Sequence, residues 1–282
     1  MLNQIIILSA LILGSVTDFK KREVPDTLNY SLIVLGLLIN LTLSIIHSNY
    51  IFILSSIIGL GAGFAIGALF YYTGQWGGGD AKLIMGIGAM IGINPQTITT
   101  AMPTFLLFIL TSLVVGAVYG AVWLGVLALK HKEKFKKEYA KLTKSNKNKK
   151  SYKILLIVFA LILLVGTLLN ANFELLIFGY FTLIFASMAL YAKDFTKSIE
   201  NSILINRLAV DKLTEGDWIV DELKFKEKTI KTRKTGLSKE DIDYLKQQGV
   251  KTVKVREGIP FVPSFFLAYI TILLLGNWLL IF

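Results

Sequence analysis

Long apolar segments alternate with short polar ones along most of this chain. A helix that crosses a bilayer needs about 20 mostly apolar residues. The pattern predicts about eight such helices, over Leu2–Val16, Tyr30–Ile46, Ile51–Tyr72, Leu83–Ile93, Phe105–Leu129, Ile154–Leu169, Phe173–Tyr191 and Pro263–Phe282. Because Leu83–Ile93 is short and rich in glycine, it is either a short crossing or a segment that enters and leaves on one side. The expected fold class is an all-α polytopic membrane protein.

The distribution of charge predicts how these helices are oriented. The chain has 30 Lys and Arg residues and a net charge of +11, and all 30 lie in the segments 17–29, 73–82, 130–153 and 192–262. Basic residues concentrate on the cytoplasmic side of membrane proteins. We therefore expect these segments inside the cell and both ends of the chain outside, in a multi-pass protein surrounded by membrane lipid. This orientation explains the positive charge without a nucleic-acid partner.

The polar segments divide the chain into five expected regions. They are a transmembrane core over 1–129, a basic cytoplasmic linker over 130–153, a helix pair over 154–192, a small cytoplasmic α+β domain over 193–262 and a last helix over 263–282. In the linker, Lys144–Lys150 has the composition of a mobile, solvated stretch. In the small domain, the patterns predict helices over Ile203–Leu213 and Lys239–Gln248, strands over Trp218–Phe225 and Lys251–Val255, a cap at Ser238 and a stop at Gly249.

The chain has no cysteine and only two histidines. Disulfide bonds, a thiol nucleophile and cysteine-ligated zinc are therefore excluded, and a histidine-rich metal site is disfavoured. We expect no metal and no other cofactor.

Acidic residues are rare in the apolar part of the chain, so their positions are informative. Before residue 130 they are Asp18, Glu23, Asp26 and Asp80. Asp18 ends the first predicted helix and Asp80 precedes the fourth, so both are expected at the inner membrane boundary. A carboxylate at such a position indicates a functional site. Two facing aspartates share one proton, so that one carboxylate serves as a base and the other as an acid.

Asp80 follows three glycines, Gly77, Gly78 and Gly79. Glycine permits positive φ angles and the close approach of another backbone, so an extended peptide could lie beside this segment. Three functions are compatible with these residues. They are an aspartyl peptidase, a proton- or ion-coupled transporter that titrates Asp80, and a membrane anchor for the small domain. Taken alone, an aspartate in the position of Asp18 usually belongs to an interfacial ion pair or caps a helix. Taken alone, a glycine run before an aspartate usually forms a turn.

Two short motifs resemble those of the archaeal prepilin and preflagellin peptidases, which are intramembrane aspartyl proteases of the GxGD type. The first is Asp18-Phe19-Lys20-Lys21-Arg22-Glu23-Val24-Pro25-Asp26, and the second is Gly77-Gly78-Gly79-Asp80-Ala81-Lys82. The resemblance implies that Asp18 and Asp80 are the catalytic pair. It also implies that the three glycines shape the loop and that Lys82 stands near the site. The implied substrates are precursors of type IV pilin-like subunits, pilins or archaeal flagellins, with a short basic leader that Glu23 and Asp26 could meet.

The chain also departs from one branch of that family. Full-length bacterial prepilin peptidases carry a cytoplasmic loop whose paired cysteines bind zinc, and they N-methylate the product. Here there is no cysteine, and the segment between Asp18 and Tyr30 has no room for that loop. The resemblance is therefore to an aspartic endopeptidase without N-methyltransferase activity. The stretch Glu257–Pro263 resembles a C-terminal extension found in some archaeal members, for which no chemistry is implied.

Overall fold

The computed structural model describes residues 2–98, 100, 102–145, 149–169, 172–225 and 228–276. These residues are mostly helical and include a small sheet region. The helices are α1 (Leu2–Lys21), α2 (Asp26–Ile46), α3 (Ile51–Tyr72), α4 (Gly78–Ile91), α5 (Thr104–Lys130), α6 (Lys132–Ser145), α7 (Lys149–Leu168), α8 (Phe173–Ile199), α9 (Lys239–Gln247) and α10 (Val262–Leu275). The strands are β1 (Ile205–Ala209), β2 (Trp218–Ile219), β3 (Leu223–Lys224), β4 (Thr229–Ile230) and β5 (Thr252–Arg256).

The chain forms two compact units, 1–123 with 207–282, and 124–206. In the first unit, α4 is the best buried helix, because its apolar side chains Leu83, Ile84 and Ile87 are fully enclosed. It packs chiefly against α3 and α2. The apolar core of this unit also includes side chains of α1, the start of α5 and α10. A short, glycine-rich helix can occupy this central place because its neighbours approach its backbone closely.

Several helices are long and apolar enough to cross a membrane. Judged by length and composition, five in the described part of the chain qualify, and these are Leu2–Lys21, Asp26–Ile46, Ile51–Tyr72, Thr104–Lys130 and Phe173–Leu204. The other three apolar segments predicted from the sequence are also helical and lie in α4, α7 and α10. Helix α4 has 14 residues, and the apolar parts of α7 and α10, Tyr152–Leu168 and Val262–Leu275, are shorter than the five helices above. Many large apolar side chains on these helices are exposed, which is consistent with a membrane protein. Positions 277–282, the end of the last predicted helix, lie outside the described residues.

The polar segment before α10 forms a small folded region with an apolar core of its own. Its sheet has the order β1-β5-β2, with β2 and β5 antiparallel, and β3 pairs with β4 in a separate ribbon. Strand β5 and helix α9 confirm the sequence predictions within one residue. Ser238 caps α9, and Gly249 follows it with a φ of 65°.

Two predictions for this region are wrong. The helix predicted over Ile203–Leu213 is replaced by the end of a short π-helix, strand β1 and a 3₁₀ turn. Pairing with the distant β5 decides the conformation there, against the local pattern. The single strand predicted over Trp218–Phe225 is two short strands, because the chain bends at residues 220 and 221.

The second unit, 124–206, contains the end of α5 and the whole of α6, α7 and α8. Helices α7 and α8 pack together, and α6 packs on the later part of α8, where the Phe135 and Phe195 rings lie 5.4 Å apart. The segment 130–153 is therefore largely helical, in contrast to the linker predicted from its charge. Aromatic residues on α6 give this helix an apolar contact that its lysine-rich composition does not indicate. Residues 146–148, in the stretch predicted to be mobile, lie outside the described residues.

Candidate active site

Asp18 lies in the last turn of α1 and is buried, with 6% of its surface exposed. Its Oδ2 atom accepts a hydrogen bond of 2.9 Å from the backbone N–H of Val262, the first residue of α10. The backbone N–H of Phe261 and the guanidinium of Arg22 also interact with this carboxylate. Asp18 is therefore held by a residue just after its own helix and by a segment that begins α10, of which Val262 lies 244 positions later in the chain.

Arg22 turns the chain away from α1. It has a φ of 58°, and its N–H donates to the carbonyl of Asp18 at 3.0 Å. This left-handed position after a helix is usually occupied by glycine. Here the arginine side chain lies 5.7 Å from the ring of Trp123, measured from its guanidinium carbon to the ring centre. The turn thus places a positive charge beside Asp18 and leads directly into α2.

Asp80 is the third residue of α4, and Gly77 precedes that helix as its cap. The backbone N–H of Gly77 donates to Asp80 Oδ2 at 3.0 Å. None of the three glycines has a positive φ, so the left-handed conformation that glycine permits is not used here. The close approach is used at Gly79, where a Cβ atom would lie 3.1 Å from the backbone nitrogen and Cβ of Val24. Val24 therefore packs against the glycine run at Gly79.

The two aspartates lie close enough for their charges to interact. Contacts between the elements that carry them explain this proximity. Val24, in the connection after α1, packs on Gly79. The Asn29 side chain, from the first turn of α2, donates from Nδ2 to the Gly79 carbonyl at 3.2 Å. Each carboxylate thus receives a backbone N–H on Oδ2, from Val262 for Asp18 and from Gly77 for Asp80.

Lys82 and Asp26 form an ion pair across the starts of α4 and α2, with 2.7 Å between Nζ and Oδ1. The Lys82 ammonium also lies 5.5 Å from the centre of the Tyr30 ring. Both charged side chains are partly exposed, so the pair contributes little to the free energy of unfolding. The role that its position suggests is to hold the start of α4 against the start of α2.

Glu23 is exposed beside the small folded region. Its charge interacts with Asp217, whose Oδ2 accepts a hydrogen bond of 2.8 Å from the Thr214 N–H. Burial, and to a smaller extent the charges of Glu23 and Glu257, raise the pKa of Asp217 above its usual value, although the hydrogen bonds with Thr214 oppose this change. Carboxylates from two parts of the chain therefore lie near each other beside the α1–α2 connection.

Sequence reasoning missed four residues at the site. Asn29 is fully buried at the start of an apolar helix, and a polar residue in that setting is a signal that could have found it. The Tyr119 hydroxyl is buried, interacts with the Asp18 charge and has no hydrogen-bond partner among the described residues. Phe261 and Val262 carry no local signal, because they act on Asp18 through backbone N–H groups. Within the described ranges, no cluster of three or more His, Asp or Glu side chains could hold a metal ion.

The first part of the chain matches a known protein family. Residues 5–121 match the type IV leader peptidase family, and this range contains both aspartates and the glycine run. Preflagellin peptidase of Methanocaldococcus jannaschii is 38% identical over 91 residues, which are 32% of this chain and 38% of that protein. Preflagellin peptidase of Methanococcus maripaludis is 35% identical over 106 residues, which are 38% of this chain and 46% of that protein.

A third relative is the prepilin peptidase EppA of Methanothermobacter thermautotrophicus. It is 31% identical over 100 residues, which are 35% of this chain and 26% of that protein. The matched segments thus span less than half the length of each of these relatives. The resemblance indicated by the two motifs is confirmed, and residues 5–121 of this chain match the type IV leader peptidase family.

Proposed function

We propose that this chain is an intramembrane aspartyl endopeptidase that removes the leader peptide from type IV pilin-like precursors. One observation carries the proposal above all others. Two carboxylates, Asp18 and Asp80, lie within reach of each other's charge, and each has one oxygen fixed by a backbone N–H. Fixed orientation of both groups is what paired acid–base chemistry needs.

The chemistry follows from the pairing of the two carboxyl groups. Because two adjacent carboxylates do not both ionise readily, one keeps a proton while the other is charged. The charged one takes a proton from water, whose oxygen bonds to the peptide carbonyl carbon, and the protonated one stabilises the carbonyl oxygen. The C–N bond then breaks as the leaving amine receives a proton. Water and two carboxyl groups suffice, so no cofactor is proposed.

The substrate class comes from the relatives, which are named preflagellin and prepilin peptidases. We place the cleavage at the cytoplasmic membrane face, because every Lys and Arg lies in segments that the charge rule puts on that side. Glu23 and Asp217 would attract a basic leader there, while Asp26 is engaged by Lys82. The absence of cysteine fits cleavage without N-methylation.

The experiment is cleavage of a precursor pilin and a precursor archaeal flagellin in membranes, by the parent protein, Asp18→Ala and Asp80→Ala. Asp243→Asn, an exposed carboxylate on α9, is the matched control. We expect the parent and the control to shorten a precursor. Each active-site variant, inserted at equal amount, should lose at least about a hundredfold in rate.

The outcomes separate the competing functions. Cleavage at the parent's rate by either alanine variant would remove the catalytic assignment. If the parent cut none of several precursors, a transporter that titrates Asp80 would become the leading alternative.

A further inference from the structure

The start of α10 contacts the candidate active site, although it lies outside the part of the chain that matches the family. The match covers residues 5–121, whereas α10 begins at Val262. Val262 is fully buried, and its N–H donates directly to Asp18 Oδ2 at 2.9 Å. Nothing in the family comparison assigns a role to this contact.

The first turn of a helix favours a charged carboxylate. Its N–H groups have no partner within the helix and carry partial positive charge. Hydrogen bonds from such groups stabilise the ionised form of an aspartate. Asp18 interacts with the N–H of Val262, the first residue of α10, with the N–H of the cap residue Phe261 and with the positive charge of Arg22.

Asp80 has weaker support for a negative charge. The only N–H donor that the structure gives it in the described segments is that of Gly77, and Asp18 adds negative charge nearby. The charged and titratable side chains that face Asp18 are Arg22 from the connection after α1, Asp80 from α4 and Tyr119 from α5, besides the N–H groups at the start of α10. Of these side chains, Arg22 supplies the positive charge, and it favours ionisation of Asp18 over Asp80.

The start of α10 is held in place by aromatic packing. The Phe261 ring lies 5.2 Å from the Phe265 ring and 6.3 Å from the Trp76 ring, measured between ring centres. It also covers Gly116 of α5 so closely that a Cβ added there would lie 2.6 Å from the ring. The Ser264 hydroxyl and N–H both donate to the Phe261 carbonyl, at 2.6 and 2.9 Å.

We propose that the first turn of α10 is a positioning element of the active site, whose Phe261 and Val262 N–H groups hold Asp18 ionised and oriented as the general base, which leaves Asp80 as the general acid. This inference rests on the peptidase function proposed above. It gives the C-terminal part of the chain a role in the reaction, because residues 261 and 262 complete the surroundings of a side chain at position 18.

The sharpest test removes the N–H of Val262 and leaves every side chain unchanged. Incorporation of the α-hydroxy acid of valine at position 262 replaces that N–H with an ester oxygen while the side chain stays. The control is the same backbone change at Leu267, an exposed residue of α10. Both full-length proteins are assayed on a precursor in proteoliposomes across a range of pH, after equal thermal stability has been checked.

We expect the ester at position 262 to lower kcat about tenfold or more, because the hydrogen bond goes to a charged group. The acidic limb of the kcat profile should also move to higher pH by about one unit, because the base loses a donor that favours its charged form. A loss of folded protein alone would lower the rate without moving this limb. The ester at Leu267 should keep the parent's profile.

A second variant needs only ordinary mutagenesis. Gly116→Val would push on the Phe261 ring and shift the start of α10, whereas Gly120→Val, one turn later on α5, meets nothing within 4 Å of its Cβ. We expect the acidic limb to move for the first substitution and not for the second.

Identical pH profiles for the two esters, or for the two valine variants, would overturn the positioning role. Absence of cleavage by the parent would instead remove the proposed function, and this inference with it.

Discussion

Gly79 is the glycine of the Gly77–Asp80 run that packs most tightly against another backbone. A Cβ atom at this position would lie 3.1 Å from the nitrogen and Cβ of Val24, which is buried. Either α4 or the connection after α1 must then shift, and each of these carries or adjoins a candidate catalytic aspartate. The spacing of the two aspartates thus depends on the absence of one methyl group.

We therefore expect Gly79→Ala to cost about 1–3 kcal/mol of unfolding free energy, as overpacking does. Gly78→Ala is the matched control, because its Cβ would meet only the Tyr71 ring, at an ordinary 3.7 Å. Thermal melting in detergent measures the stability of both variants. Equal melting temperatures for the two variants would show that the approach of Val24 is not tight.

A second residue-scale prediction concerns Asp241, whose side chain is only 2% exposed. It forms ion pairs with Lys228 at 2.7 Å and Arg233 at 3.4 Å, and it closes the cap of α9 with Ser238. Burial raises the pKa of Asp241, but the hydrogen bonds with Lys228 and Ser238 outweigh burial and hold this pKa below its usual value.

A carboxylate with a lowered pKa in the folded state stabilises the fold above its unfolded pKa, which is about 3.9. This contribution is lost as the pH falls below about 4 and through the folded pKa. We expect Asp241→Asn to destabilise the small folded region by about 1–3 kcal/mol at neutral pH, because it leaves cations poorly paired. Hydrogen exchange of α9 amides in the full chain measures this loss. Asp243→Asn, exposed on the same helix, should change little, and an equal effect of both would refute the prediction.

At the scale of helices, the contact between α3 and α4 is built from small residues. Gly59, Gly63 and Gly67 recur every fourth position on α3 and face α4. A Cβ at Gly63 would lie 2.8 Å from the carbonyl oxygen of Ile84, and the Ser56 hydroxyl donates to the Ala89 carbonyl at 2.6 Å. Small residues at this spacing let two backbones approach closely inside a membrane.

We expect Gly63→Ala to separate the two helices and lower the melting temperature. Gly61→Ala lies on the open side of α3, where a Cβ would meet nothing within 4 Å, and should leave this temperature unchanged or slightly raised through better helix propensity. A melting temperature for Gly63→Ala as high as that for Gly61→Ala would contradict this packing. Thermal scanning of both purified variants decides the question.

The elements that the sequence predicted well are those with local causes. Helix α9 has its cap at Ser238 and its stop at Gly249, both within a few residues of the helix. Strand β1 was missed because the pairing partner that selects its conformation, β5, lies more than 40 residues later in the chain. Helix α6 was missed because its lysine-rich composition resembles that of a solvated linker.

The whole candidate site shows the same division between local and distant causes. Hydropathy predicts that Asp18 ends one apolar helix and that Asp80 precedes another, over Leu83–Ile93. The structure begins α4 earlier, at Gly78, so Asp80 is the third residue of this helix. The contact between Asp18 and Val262 joins residues 244 positions apart through a backbone atom. No periodicity or motif can indicate such a contact, because every residue except proline carries the same N–H group.

The orientation of the whole molecule rests on α4. This helix has 14 residues, so it is about 21 Å long, which is shorter than the roughly 30 Å of bilayer hydrocarbon. A helix this short can still connect the two faces where protein surrounds it and the bilayer thins. If α4 does not cross, every basic residue from Lys130 to Lys153 moves to the outer side, against the charge rule.

Because the chain contains no cysteine, single cysteines introduced at exposed sites report this orientation without background. Gln75 and Gln96 bracket α4, and Asn49 and Thr232 serve as references for the outer and inner sides. We expect a membrane-impermeant maleimide to label Asn49→Cys and Gln96→Cys in intact cells, but Gln75→Cys and Thr232→Cys only after permeabilisation. Labelling of Gln75→Cys and Gln96→Cys from one side would show that α4 does not cross. The polar segments after α4 would then lie on the side of the membrane opposite to the one we propose, since the direction of each later helix across the membrane follows from that of α4.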